Sequence, residues 1–204
     1  MPKRKYEQKL RADAAEQTRR RILEAVADRL RTAPGEPVSM DKVAQAAGVA
    51  RSTIYVVFDS RAGLFEAFVA DLYERTGLTR LSEAVDVPDV RQHLRGGLLA
   101  ASQMFAADIE IYRALFGMSR INPDSVGGAV NSMEDGRRGG MEYLAKRLDE
   151  EGALRDDVTR ERAIDVLWVI TAFETFDLLY GGRGLPVEET AELLATTAER
   201  ALCR

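Results

Sequence analysis

The stretch VSMDKVAQAAGVARSTIYVVF, residues 38–58, carries the reading of this chain. Val43, Ala44 and Ala47 put small apolar side chains on one face of a short helix, Met40 to Ala47. Gly48 follows where the chain must turn sharply, and glycine tolerates the positive φ such a turn demands. Val49 plugs the corner, and Ile54 with Phe58 anchors a second short helix from about Arg51 to Val57. Small residues at the crossing let two helices meet closely at a steep angle, as in a helix-turn-helix. The outward side of the second helix presents Arg51, Ser52, Thr53, Tyr55 and Val56. Arg51 can donate to guanine edges or phosphates, Ser52 and Thr53 can reach either, and Val56 can sit against a thymine methyl. Ser39 is a good N-cap for the first helix, whose N-terminal N–H groups could hold a phosphate.

Working outward, nearly every segment has helical spacing, so the expected class is all-α. Residues 1–12 are polar and carry Lys3, Arg4, Lys5, Lys9 and Arg11, which predicts a flexible basic arm. A helix then opens near Asp13 and runs through Ile22, Leu23, Val26 and Leu30 until Pro34-Gly35-Glu36-Pro37 stops it. These elements make a three-helix head over residues 13–60. A longer helix opens near Arg61 with Leu64, Phe65, Phe68 and Leu72 on its apolar face. It leads into a larger helical body, residues 61–204, with helices expected over 89–106, 109–120, 129–151, 158–181 and 187–202. Gly127, Gly128, Gly136, Gly139 and Gly140 predict that the stretch before Met141 is partly loop, since glycine costs about 1 kcal/mol in a helix interior.

The charge is unevenly divided. Residues 1–61 hold 13 Lys and Arg against 8 Asp and Glu, while the remainder holds 16 against 25. A basic head can neutralise phosphates while an acidic body limits indiscriminate adhesion to DNA. No stretch reaches the roughly 18 apolar residues of a membrane span, and the N-terminus lacks a signal-peptide core. Cys203 is the single cysteine, so no intrachain disulfide can form, and a cytoplasmic location is expected.

The head resembles the TetR family of transcriptional regulators. The resemblance rests on Thr18-Arg19, Ile22-Leu23 and Ala25, then Val43-Ala44, Ala47-Gly48-Val49, Thr53-Ile54-Tyr55, Phe58, Ser60-Arg61 and Leu64, covering about residues 15–70. It implies phosphate contacts from Ser39, Tyr55 and Arg61, and base reading from the start of the second helix. Three positions depart from the family's habit. Ala50 replaces a frequent capping serine, Val57 a frequent histidine, and Arg61 the more usual lysine.

The resemblance also implies a homodimer made by the last two helices and a small-molecule effector inside the body. Residues 163–180 are apolar on more than one side, which fits burial from several directions. Leu167, Thr171 and Leu178, with Leu194, Ala198 and Ala201 of the final helix, are the candidate dimer residues; the same stripe could instead pack inside a monomeric core. A dimer reading a palindromic site in double-stranded DNA is favoured, because one head covers only a few base pairs. Met104, Phe105, Tyr112, Phe116, Trp168 and Phe173 are candidate ligand-lining residues or plain core, together with Met118. Glu174, with Asp177 one turn on, would favour a cationic or hydrogen-bond-donating ligand if it faced a cavity, or would pair with an arginine such as Arg183.

No metal-ligand spacing, nucleophile-base pair or phosphate-binding glycine loop is present in the sequence, so neither catalysis nor a cofactor is expected. His93 is read as an ordinary helix side chain. The expected function is a ligand-released repressor, with a helical protein-interaction module that does not bind specific DNA as the alternative.

Overall fold

The computed structural model describes residues 2–126 and 128–204. The side chains of residues 2–7, 123 and 125 lie outside the described residues, and with them Lys3, Arg4 and Lys5 of the expected arm; so do Met1 and Gly127. The described chain is helical: α1 (Pro2–Thr32), α2 (Met40–Ala47), α3 (Arg51–Phe58), α4 (Arg61–Thr76), α5 (Leu78–Val85), α6 (Val90–Ala107), α7 (Ile109–Ile121), a 3₁₀ turn (Pro123–Val126), α8 (Ala129–Glu150), α9 (Arg160–Ile170), α10 (Phe173–Arg183) and α11 (Val187–Leu202). None of the helices among the described residues is long and apolar enough to cross a membrane.

The backbone is helical from Pro2, not from near Asp13 as the sequence suggested. Proline suits the first helical position, and Lys, Arg, Glu, Gln, Leu and Ala all propagate helix well. The chain divides inside α4 into two compact units, residues 1–71 with 110–132 and residues 72–109 with 133–204. The return of α7 to the first unit could not be read from order along the chain, which placed everything after residue 60 in one body.

In the first unit, α1 packs on α2 and α2 on α3. Ile22, Val26 and Leu30 of α1 are buried, as are Val43, Ala44 and Ala47 of α2, Ile54 and Phe58 of α3, and Leu64, Phe65 and Phe68 of α4. Each large apolar side chain removed from water contributes about 1.5–3 kcal/mol. Two backbone constraints bracket α3. Gly48 ends α2 in the left-handed region at φ 64°, with its own N–H bonded to Gln45 O and that of Val49 to Ala44 O at 3.0 Å. This is the double-bonded glycine termination of a helix. At the other end, Gly63 lies so close to Phe58 that a Cβ there would stand 2.2 Å from the Phe58 carbonyl oxygen. The hydroxyl of Ser60 accepts from Gly63 N–H at 2.9 Å and starts α4.

The core of the second unit is built from α6, α8, α9 and α11, including Leu94, Leu98, Leu144, Leu148, Leu167, Leu194, Ala198 and Leu202. Gly136, Gly139 and Gly140 are helical despite the expectation of loop, because Met133, Leu144, Ala145 and Leu148 bury a stripe along α8. The α5 helix went unforeseen; it follows Gly77 at φ 139° and packs on α6.

The helix expected over 158–181 is two helices. Ala172 is extended (φ −65°, ψ 141°) between α9 and α10. Thr171 Oγ1 donates to Leu167 O at 2.8 Å, Arg137 Nη1 to Trp168 O at 2.8 Å, and Thr175 Oγ1 to Val169 O at 2.5 Å. Leu167 O keeps its helical bond from the Thr171 N–H at 2.9 Å and Val169 O also accepts from the Ala172 N–H at 3.4 Å, while Trp168 O is held by the Arg137 side chain.

Arg147 of α8 makes a second such corner. It donates to Val87 O at 3.0 Å and Pro88 O at 2.7 Å, pairs with Glu151 at 2.9 Å, and places Nη1 3.3 Å from Nδ1 of buried His93. A guanidinium cannot accept, so the His93 Nδ1 lone pair must, leaving the ring neutral with its proton on Nε2. Burial, and then the Arg147 charge, push the His93 pKa below its ordinary value.

Two outcomes follow from these contacts. Gly63→Ala should destabilise the protein by at least about 1–3 kcal/mol, the usual range for forced overpacking, and thermal denaturation will read it. The neutral His93 stabilises the fold at pH values above its ordinary pKa. That stability is lost as pH falls through the ordinary pKa, where the unfolded chain takes up the proton first. His93→Gln, which can still accept from Arg147, should therefore show a shallower fall in Tm between pH 7.5 and 5.5 than the wild type. Parallel Tm curves would contradict this.

Candidate nucleic-acid interface

Four of the predicted contact residues share the outer surface of α3: Arg51, Ser52, Tyr55 and Val56 are all exposed. Val56 is 84% exposed, an unusual position for a branched apolar side chain unless it meets a partner. Thr53 is half-buried on the flank of the same helix. The buried pair Ile54 and Phe58 fixes which face turns outward, and the Gly48 corner fixes where α3 leaves α2.

Arg51 is held in place before any ligand arrives. Its Nη1 lies 3.1 Å from an Asp41 carboxylate oxygen, and its guanidinium carbon is 5.9 Å from the Tyr55 ring centre. Tyr55 first, then Asp41, push its pKa above the ordinary arginine value. Asp41 was not singled out from the sequence, since a first-turn acid on α2 looks like an ordinary dipole partner. Such an exposed pair contributes little stability, so Arg51 can exchange Asp41 for a base edge or phosphate at small cost.

Ser39 occupies the N-cap position of α2, but its hydroxyl makes no capping bond. Ala50 precedes α3 in extended conformation, and no side chain caps that helix either. The first N–H groups of both helices therefore lack side-chain acceptors, which suits a phosphate oxygen.

Arg61 is turned inward. It is half-buried, donates from Nη1 to Val38 O at 2.7 Å, and lies 5.2 Å over the Phe65 ring. Its contact to Val38 braces the segment that enters α2, so in this structure it supports Ser39 from behind. Arg19 of α1 lies 5.1 Å over the Phe58 ring and clamps the end of α3.

The expected regulatory residues are distributed differently from the sequence reading. Leu167, Leu194 and Ala198 are core residues of the second unit, so these three proposed dimer contacts are corrected: their surfaces are already covered within the chain. Thr171 is engaged with Leu167 O and with Arg137 at 3.1 Å. Leu178 and Ala201 are exposed, and so are Val169 and Leu193, which periodicity alone did not pick out.

Of the candidate ligand residues, Tyr112 and Phe116, with Met118, are buried in the first unit; Met104, Phe105 and Phe173 are buried in the second. Phe105 meets Phe173 edge-on at 5.3 Å and lies 5.6 Å from Phe176, which stacks on Tyr180 at 5.0 Å. The face of Trp168 is covered by the Arg137 guanidinium at 3.6 Å. Glu174 is half-buried in the first turn of α10. An open concavity of about 560 Å³ lies elsewhere, between α8 and α9, lined by Gly139, Tyr143, Lys146, Arg160 and Ile164 among others.

Comparison with known proteins agrees with this geometry. Residues 22–68 match the model of the bacterial regulatory proteins of the tetR family. A nucleoid occlusion factor, SlmA of Idiomarina loihiensis, is 31% identical over 153 residues, covering 72% of this chain and 73% of the relative. Among solved structures, NalD of Pseudomonas aeruginosa, the secondary repressor of the MexAB-OprM multidrug efflux pump, aligns with a TM-score of 0.71 at 23% identity, covering 94% of this chain and 98% of that one. The fatty acid degradation regulator FadR of Bacillus halodurans gives 0.70 at 16% identity, over 89% and 94%. The matched span contains the Gly48 corner, the exposed face of α3 and the Ser60-Arg61 start of α4, and with the relative matched over 73% of its length it places this chain in the TetR family of DNA-binding transcriptional regulators.

Proposed function

We propose that the chain is a cytoplasmic homodimer that represses transcription from a palindromic operator and is released by a small-molecule effector. Residues 13–60 act as the reading head, residues 1–12 as a basic extension, and residues 61–204 as the regulatory and dimerising part. The observation that carries this reading is the single exposed face of α3, where Arg51, Ser52, Tyr55 and Val56 stand on a helix anchored from behind by Ile54 and Phe58. Arg51 supplies a bidentate donor for guanine, Val56 a methyl contact for thymine, and Tyr55 with Ser39 hydroxyls for phosphate.

The dimer draws on exposed apolar groups and on charge. Val169 is 62% and Leu178 70% exposed on α9 and α10, and Leu193 is exposed on α11. Helix α10 carries Glu174 in its first turn and Arg183 in its last; α11 carries Glu188 and Glu189 first and Arg200 last. Helices charged in this order complement their own copies when packed antiparallel about a two-fold axis. Two heads about 34–36 Å apart would then read matching half-sites. Release requires only that the effector prefer a conformation with lower DNA affinity. The buried aromatic group Phe105, Phe173 and Phe176 supports an apolar effector environment.

A second reading is favoured by the SlmA relative: the DNA-bound dimer would act as a nucleoid occlusion factor. Mapping of chromosomal sites separates the two. A repressor occupies one or a few sites beside promoters, whereas an occlusion factor occupies sites spread along the chromosome.

Selection from random duplex DNA should recover a palindrome, and recovery of no consensus would refute specific reading. On that site, Arg51→Ala should cost about 1–3 kcal/mol of binding with Tm unchanged. Val56→Ala should relax preference at one base pair per half-site. Affinity should fall about 10³-fold or more between 50 and 200 mM salt if six or more phosphates are engaged. Unchanged DNA binding in the Arg51→Ala, Tyr55→Ala double variant would favour a protein-interaction role for the head.

A further inference from the structure

Side chains bond the backbone carbonyls at the break between α9 and α10. ITAFETF, residues 170–176, contains neither glycine nor proline, and the spacing on both sides continues one helical pattern. In an uninterrupted helix the Trp168 carbonyl would accept from the Ala172 N–H and the Val169 carbonyl from the Phe173 N–H. Here Arg137 holds the first at 2.8 Å, and the second accepts from Thr175 Oγ1 at 2.5 Å and from the Ala172 N–H at 3.4 Å. Arg137 is itself fixed by three further contacts: the Glu134 carboxylate, Thr171 Oγ1 at 3.1 Å, and the Trp168 ring at 3.6 Å. Only 14% of its side chain is exposed.

The consequence lies on the surface. Val169 and Leu178 stand nine positions apart, which at about 3.6 residues per turn is two and a half turns. On one continuous helix they would point in opposite directions. A helix seated on the core through Leu167 and Ile170 could then expose only one of them. The break re-aims α10, and both residues are exposed.

We propose that Arg137 is the positioning residue of the self-association face: by holding the α9–α10 break open it turns Val169 and Leu178 outward together for a second copy of this chain. The inference rests on the dimer proposed above. The segment has a competing conformation, the continuous helix its local sequence favours, and Arg137 decides between them.

The test compares four full-length variants with the wild type. Dimer dissociation is measured by sedimentation equilibrium, and the break by hydrogen exchange at the amides of Phe173, Glu174 and Thr175. As first-turn amides these lack intrahelical acceptors while the break persists. Val169→Asp with Leu178→Asp should give a monomer; an unchanged mass would refute this dimer face, and the inference with it. Arg137→Met should raise the dimer Kd at least tenfold and slow exchange at the three amides as the helix closes. Arg137→Lys, which keeps one charged donor, should recover part of both. Thr175→Val removes the side-chain donor to Val169 O and leaves the Ala172 N–H, and should shift Kd and exchange in the same direction by a few-fold even if Arg137→Met fails to fold. If the aspartate variant is monomeric while Arg137→Met and Thr175→Val keep wild-type Kd and exchange, the dimer stands and the role assigned to Arg137 falls.

Discussion

The left-handed conformation of Gly48 is the constraint on which the exposed face of α3 depends. With φ at 64°, the chain passes from α2 to α3 through only Gly48, Val49 and Ala50, and two backbone bonds onto Ala44 and Gln45 seal the corner. A side chain at this position would disfavour that conformation. The small residues Ala44 and Ala47 let the helices cross closely, and Ile54 and Phe58 then lock the rotation of α3. Rotation decides chemistry: it puts Arg51, Ser52, Tyr55 and Val56 outside and leaves none of them to the core. Gly63 constrains the other end, where the start of α4 lies against the Phe58 carbonyl. A short helix of eight residues is thereby held at both termini by backbone geometry.

A second theme runs through both units. Where the chain leaves regular structure, an arginine commonly satisfies the carbonyls left behind. Arg61 holds Val38 O before α2, Arg147 holds Val87 O and Pro88 O before α6, Arg137 holds Trp168 O at the α9–α10 break, and Arg204 holds Leu154 O at 2.7 Å. A planar guanidinium offers five donors in a fixed fork that can bridge separated acceptors, where a lysine ammonium offers three from a single nitrogen. This changes the meaning of the charge distribution. Arg137 and Arg147 of the acidic body are largely covered and serve as scaffolding, and Arg61, counted with the basic head, braces its backbone.

The arrangement fits the membership of the chain in the TetR family while showing where it differs from the family's habit. Ala50 leaves α3 without a side-chain cap, so its first amides face outward. Val57 is half-buried and flanks the core where a polar contact would otherwise stand. Arg51 and Val56 remain exposed on the same helix.

What the sequence by itself determined is local. Helical periodicity, the glycine corner and the residues facing outward from α3 depend on neighbours within a few positions, and these readings could be made from residues 38–58 alone. The extent of α1 was also encoded locally, in Pro2 and the helix formers after it, although its polarity suggested an arm. Tertiary structure decided the rest, because the deciding partners are distant in sequence. The α9–α10 break depends on Arg137, more than thirty residues before Ala172. The inward turn of Arg61 depends on Val38, and the neutrality of His93 on Arg147. Leu167, Leu194 and Ala198 carry the same apolar signature as a dimer stripe; only their packing against one another in the core shows that they hold the protomer together. Periodicity reports that a face is buried. It does not report by what.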